Sequence, residues 1–200
     1  MPKTKEQCEQ IRNERKLTIL KCSVELFATK GYEAVNLDEV TKKAKCSHGL
    51  LYHYYRNKEE LYEAVLNQII YPDSKEVVKD IDFNQKAKFV VHDIIDKCFK
   101  ILKSNNEEKV MELYLLLNVH LQKSLKFIKK NEKGHTVIFS TMEELIDRGK
   151  IEGDFNDSSS TELTIAVLSL IKGMAFNRIN IGYKRFICPR SEIVMKMLLK

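Results

Sequence analysis

A chain of 200 residues with 44% hydrophobic and 31% charged content and a formal charge of +6 has the composition of a soluble globular protein with room for a small domain and a larger one. No apolar run reaches the roughly 18 to 20 residues that cross a bilayer, and no charged-then-apolar leader opens the chain, so a membrane partner is not expected and a cytoplasmic location is. The five cysteines, Cys8, Cys22, Cys46, Cys98 and Cys188, are odd in number, widely spaced and without a CxxC pair, which argues against a disulfide framework or a zinc knuckle and fits a reducing compartment.

The charge is unevenly placed. Through Lys58 there are 12 Lys and Arg against 7 Asp and Glu, and beyond it 22 against 21, so the basic excess belongs to the N-terminal part, as a phosphate-binding face requires. Lys3, Lys5, Arg12, Arg15 and Lys16 read as a frayed basic arm, either a solvated tail or a phosphate contact. Ile19, Cys22, Ser23, Leu26 and Phe27 then repeat at amphipathic helical spacing, and Gly31 stops that helix as a C-cap glycine.

Asn36 is a good N-cap, and Glu39 stands where it can reach back to the free amides. A short helix is predicted from Leu37, with Leu37, Val40 and Ala44 inward and Asp38, Lys42 and Lys43 toward water. Ser47 is a second N-cap, opening a short helix that carries His48, Gly49, Tyr52, His53 and Tyr54. Two helices joined by a turn of this length make a helix-turn-helix, whose second helix enters the major groove with its N-terminal residues against base edges. Asn57 caps a third helix, and Lys58 in its first turn is placed for a phosphate.

With the preceding helix, and on Glu25-Leu26-Phe27, Gly31-Tyr32, Ala44, Ser47, Gly49, Leu51-Tyr52-His53-Tyr54-Tyr55 and Asn57-Lys58-Glu59, the first third of the chain resembles the DNA-binding domain of the TetR family of bacterial transcriptional regulators. The resemblance implies an all-α fold, with an N-terminal three-helix helix-turn-helix domain (1–58) followed by a larger helical effector-binding and dimerisation domain (59–200), about nine helices in all. It implies DNA-facing positions at Asn36, Leu37, Lys45, Cys46, Ser47, His48, Gly49, Leu50, Tyr52, His53, Tyr54 and Lys58. The chain departs from the family pattern at three of these. Lys45 stands where glycine is usual and must hold a left-handed or similar conformation at a cost of about 1 kcal/mol. Cys46 replaces a common valine and Leu50 a common threonine, which leaves the operator sequence open.

Farther on, a helix through Leu61, Val65, Leu66 and Ile69 stops at Tyr71-Pro72. Asn84 to Lys103 and Glu107 to Leu121 read as core helices, Lys126 to Lys133 as a charged connector ending at Gly134, and Thr136 to Arg148 as an amphipathic helix. Gly149 to Ser160 reads as a loop. Thr161 to Ile181 is a long helix, and Ser191 caps a last one after Pro189. Leu170, Gly173, Met174, Ile193 and Met197 on these final helices are candidates for the interface of a homodimer, which the resemblance implies. The alternative is that both helices close the monomer core. Phe99, Tyr114, Phe127, Phe139 and Met142 are candidates for the lining of an apolar effector pocket, although their helical spacing reads more readily as plain core.

Catalysis has no foothold in the sequence. There is no Gly-rich phosphate loop, HExxH or GxSxG, and Glu143-Glu144 reads as a solvent-facing pair. His92, His120 and Cys98 lie too far apart to imply a metal, and no cofactor is expected. Two classes of function stand: a dimeric regulator released from a palindromic operator by a small effector, and a helical enzyme or carrier with an N-terminal three-helix bundle.

Overall fold

The computed structural model describes residues 5–70, 81–118 and 137–200, and nine α-helices lie among them. The chain divides into two compact units, the first ending at Ile70. Among the described residues the fold is all-α apart from an isolated antiparallel bridge between Phe155 and Leu199. Tyr71-Pro72, the connector at 126–134, His120 and Phe127 fall outside the described residues.

The first unit contains α1 (Lys5–Lys30), α2 (Leu37–Ala44), α3 (His48–Tyr54) and α4 (Lys58–Ile70). From Lys5 onward, the basic arm expected to fray is instead the N-terminal half of a continuous helix of 26 residues. Gly31, at φ 79°, ends that helix with its amide on the Phe27 carbonyl. Packing of α4 on α1 buries Leu61, Tyr62, Val65 and Leu66, so the compact unit ends later than the break drawn at Lys58. Its core is aromatic at one end, where Tyr62 meets Phe27 edge to face at 4.6 Å and Tyr32 at 4.9 Å. Val24, Val40, Ala44, Leu51 and Tyr55 complete it.

The second unit contains α5 (Ala87–Lys103), α6 (Glu107–Asn118), α7 (Val137–Ile151), α8 (Ser160–Ile181) and α9 (Glu192–Leu198). α8 is its axis, packing on each of the other four. It begins at Ser159, whose hydroxyl accepts from the Glu162 amide, and ends at Gly182. Where the sequence suggests a loop from Gly149, α7 continues through it to Ile151. Phe155, fully buried, folds back so closely that a β-carbon on Gly149 would overlap its ring.

Two further expectations are corrected by tertiary contacts, and a third contact caps a helix from a distance. Ser191 makes no side-chain cap; its hydroxyl donates to Asp96 Oδ1 on α5 at 3.2 Å. Glu143 is buried rather than solvent-facing, accepting from Thr161 Oγ1 at 2.5 Å, while Glu144 is exposed. The free amide of Ala87 at the start of α5 is capped from a distance, by Glu152 Oε2 at 2.7 Å. The chain's last residues are stitched to the loop before α8: the Asn156 amide donates to the Leu198 carbonyl at 2.8 Å and the Lys200 amide to the Asp154 carbonyl at 3.3 Å.

Candidate nucleic-acid interface

The turn between α2 and α3 is built by its own side chains. Asn36 Oδ1 accepts from the Asp38 amide at 3.1 Å and starts α2. Lys45 ends it at φ 49°, ψ 48°, the left-handed conformation expected of it, and the Cys46 amide closes the turn on the Thr41 carbonyl at 3.0 Å. Ser47 Oγ then accepts from the Leu50 amide at 3.2 Å and starts α3. At α4 the capping is reciprocal: Asn57 Oδ1 takes the Glu60 amide at 2.8 Å, and Glu60 Oε2 takes the Arg56 amide at 2.7 Å. Each element therefore begins and ends where a local donor or acceptor is satisfied.

This framing turns α3 so that Leu51, and Tyr55 just past its end, are buried while Ser47, His48, Gly49, Tyr52 and His53 are exposed together. Leu50, Tyr54, Leu37, Cys46 and Lys58 are half-buried, and Asn36 and Lys45 are exposed. Apart from its chain neighbours and the backbone of its own helix, nothing lies within 4 Å of where a Gly49 side chain would begin, so the start of α3 is open to close approach. His48 Nδ1 stands 3.7 Å from Asp38 Oδ1.

The surrounding charges differ in their freedom. Lys30 holds Glu39 at 2.6 Å and Lys43 holds Glu25 at 2.6 Å, both tying α2 to α1. The Lys30 bond, with the Asn36 amide adding to it, keeps the Glu39 carboxyl below its usual range. Lys58 lies 4.6 Å above the Tyr32 ring and donates to the Glu33 carbonyl at 3.1 Å. It thus fastens α4 to the α1–α2 connection as well as carrying charge. Lys45 has no acidic partner among the described residues. Burial pushes the Cys46 thiol up, with Arg15 pulling the other way, so this side chain behaves as a small apolar group at the turn.

In the sequence, Arg12 reads as part of a solvated tail or a phosphate contact, with no sign of its bond to α3. Arg12 Nη2 lies 2.9 Å from His53 Nε2, and the Tyr54 hydroxyl donates to the Arg12 carbonyl at 3.1 Å. The partners are 41 and 42 residues apart, and the available hint was a run of arginine and lysine preceding an aromatic motif.

Residues 19–65 match the sequence model of the bacterial regulatory proteins, tetR family. The match covers the helix-turn-helix part of the first unit. The chain is similar to the transposon Tn10 TetC protein of Escherichia coli, 44% identical over 43 residues, or 22% of each chain. The chain spans about half or less of the length of the first curated relatives it matches. The fold extends the likeness. A FadR regulator from Bacillus subtilis, solved with stearoyl-CoA, superposes with a TM-score of 0.66 over 92% of this chain and 97% of that one at 19% identity. AibR, solved with isovaleryl coenzyme A and operator DNA, gives 0.65 over 91% and 94% at 20% identity.

In the second unit, Phe99, Phe139 and Met142 are buried in one apolar cluster, and Tyr114 packs against it with its ring 5.9 Å from Phe176. Four of the five pocket candidates are therefore together, as core. Of the interface candidates, Leu170 and Met174 pack on the monomer core and Gly173 is half-buried, whereas Ile193 and Met197 are exposed. Exposed Ile165 and Phe176 on α8, which the sequence reading passed over, carry apolar surface outward with them. Cys98 is buried and pushed up to about 12, while His92 faces Asp93 at the surface, so the two do not converge. No group of three or more metal-ligating side chains gathers among the described residues.

Proposed function

We propose that this protein is a homodimeric transcriptional regulator that reads a palindromic duplex operator with α3 and is released or retargeted by a small effector held in the second unit. The observation that carries the reading is the outward face of α3: Ser47, His48, Gly49, Tyr52 and His53 are presented together by a helix anchored through Leu51 and Tyr55, in the N-terminal part of the chain that holds the basic excess. A helix presented this way fits the major groove, and flanking Lys45 and Lys58 supply phosphate contacts. Exposed Ile165, Phe176, Ile193 and Met197 on α8 and α9 supply the apolar surface for a two-fold contact with a second copy. Catalysis is no part of this role.

The effector we propose is an acyl thioester or similar molecule with an apolar tail, held among the aromatic and aliphatic side chains of α5 to α8. Its support is the fold shared with regulators solved with acyl-coenzyme A molecules and the apolar cluster around Phe99 and Met142. An effector acts by favouring a conformation whose recognition helices no longer match successive grooves.

Selection of bound sequences from random duplex DNA tests the reading. The expected product is a palindrome whose affinity falls steeply with salt and which acyl-coenzyme A of one chain length releases. A protein that selects nothing, or binds DNA without sequence preference, would instead fit a helical enzyme or carrier.

A further inference from the structure

We infer that Arg12 determines specificity by fixing which ring nitrogen of His53 carries the proton, so that His53 reads a hydrogen-bond acceptor on its base; this rests on the DNA reading proposed above. The guanidinium Nη2 of Arg12 stands 2.9 Å from His53 Nε2. A guanidinium offers donors and no acceptor. The imidazole is therefore the acceptor at this contact, and a neutral imidazole that accepts at Nε2 carries its hydrogen on Nδ1. His53 makes no other hydrogen bond among the described residues, and its side chain is exposed on the outward face of α3.

Neighbouring contacts hold the pair in place. Tyr54 bonds the Arg12 carbonyl at 3.1 Å, its ring lies 6.0 Å from the guanidinium carbon, and the His53 and Tyr54 rings meet edge to face at 5.4 Å. Two successive residues of α3 are thus joined to one residue of α1, through its backbone and through its side chain. The ring is restrained on its Nε2 side and left with a donor, Nδ1–H, on the other.

The consequence for reading follows from the groove. Guanine, adenine and thymine each present an acceptor in the major groove, whereas cytosine presents its amino donor. A fixed Nδ1–H donor therefore disfavours cytosine on the strand it faces. A ring free to exchange its proton can turn an acceptor to that amino group, and the discrimination is lost. Arg12 is in this sense a positioning residue, acting through His53 without touching the base.

Nitrogen-15 NMR of the full chain at about pH 8, where an ordinary imidazole is neutral, reads the tautomer directly. The expected result is Nδ1–H in the wild type and in Arg12→Lys, which keeps a donor, and a tautomer mixture in Arg12→Met. Selection from random duplex DNA with the same three proteins gives the second arm. The wild type excludes cytosine at one step of each half-site; Arg12→Met loses that discrimination about fivefold to tenfold with an unchanged salt slope, and Arg12→Lys restores it. Melting curves confirm that the variants are folded. A wild-type ring protonated at Nε2 overturns the inference, as does an Arg12→Met protein that selects the same bases. So does one that weakens on all sequences alike with its salt slope reduced by about 1, because that is the mark of a phosphate contact. A wild type with no affinity for duplex DNA overturns the reading of the preceding section and this inference with it.

Discussion

The ring of Phe155 occupies the space in which any side chain on Gly149 would have to begin, its Cδ2 and Cε2 atoms lying inside contact distance of an ideal β-carbon there. Alanine is the better helix former by about 1 kcal/mol, and Gly149 is helical, so propensity alone favours Gly149→Ala. Phe155 is fully buried and cannot yield. Overpacking of this kind costs about 1–3 kcal/mol, and the expected outcome is a lowered melting midpoint. Gly149→Ala combined with Phe155→Leu should lose less than the sum of the two single changes, and a double-mutant cycle by chemical denaturation measures it.

Lys45 sits at φ 49° with no glycine to ease it. Lys45→Gly should stabilise the first unit by up to ~1 kcal/mol, read as a raised midpoint in a thermal melt. The same change removes an exposed ammonium beside α3, so on the proposed reading affinity for all duplex sequences should fall and the salt slope should decrease by about 1.

Tyr55 is buried with a hydroxyl that has no hydrogen-bond partner, and burial pushes its pKa from 10.0 to about 12. An unpaired buried hydroxyl costs roughly 1 kcal/mol or more, so Tyr55→Phe should leave stability unchanged or raise it. The raised folded-state value also sets a pH dependence. The unfolded chain loses this proton first, so the contribution of Tyr55 is fully present below about pH 10 and declines as pH rises toward about 12. Denaturation midpoints followed across that window should fall less steeply in Tyr55→Phe than in the wild type.

Arg178 is 1% exposed on α8, donating to the Ser104 carbonyl at 3.3 Å, standing 3.7 Å from Glu107 Oε1, and lying 5.1 Å from the Tyr183 ring centre. It joins the α5–α6 turn to α8 through a long side chain that fills core volume. Arg178→Ala should destabilise the protein by about 2–4 kcal/mol, through the lost volume and the unbonded carbonyl. Glu107 is mostly exposed, and Glu107→Gln should cost about 0.5 kcal/mol or less. Equal losses in the two variants under urea denaturation would count against this division of labour.

Phe176 and Ile193 are about half exposed on α8 and α9. If they meet a second copy, Phe176→Glu and Ile193→Glu place charges in an apolar contact and should yield monomers with intact helical content. Size-exclusion chromatography with light scattering detects this. The resulting monomers should bind a half-site much more weakly than the dimer binds the palindrome.

Local chemistry accounts for what was legible in the sequence. The caps at Asn36, Ser47 and Asn57 depend on residues within about one turn of each other and were readable from spacing, whereas the left-handed Lys45 was legible only against the family pattern it departs from. What was hidden depends on partners far along the chain. Ser191 resembles a cap until Asp96 claims its hydroxyl; Gly149 resembles a loop until Phe155 explains it; Glu143 resembles a surface residue until Thr161 covers it. The contact of Arg12 with His53 belongs to the same class. It is invisible to any reading that treats the basic N-terminal stretch as a tail.

The stitching of the final residues to the loop before α8 changes what α9 is. A helix of seven residues is too short to persist alone in water. This one is held at its start by Ser191 on Asp96 and beyond its end by Asn156 and Asp154. Its amide hydrogens therefore have no cheap route to solvent through fraying. They should exchange on the slow timescale of the α8 core, making α9 part of the same cooperative unit rather than a loose end attached to it.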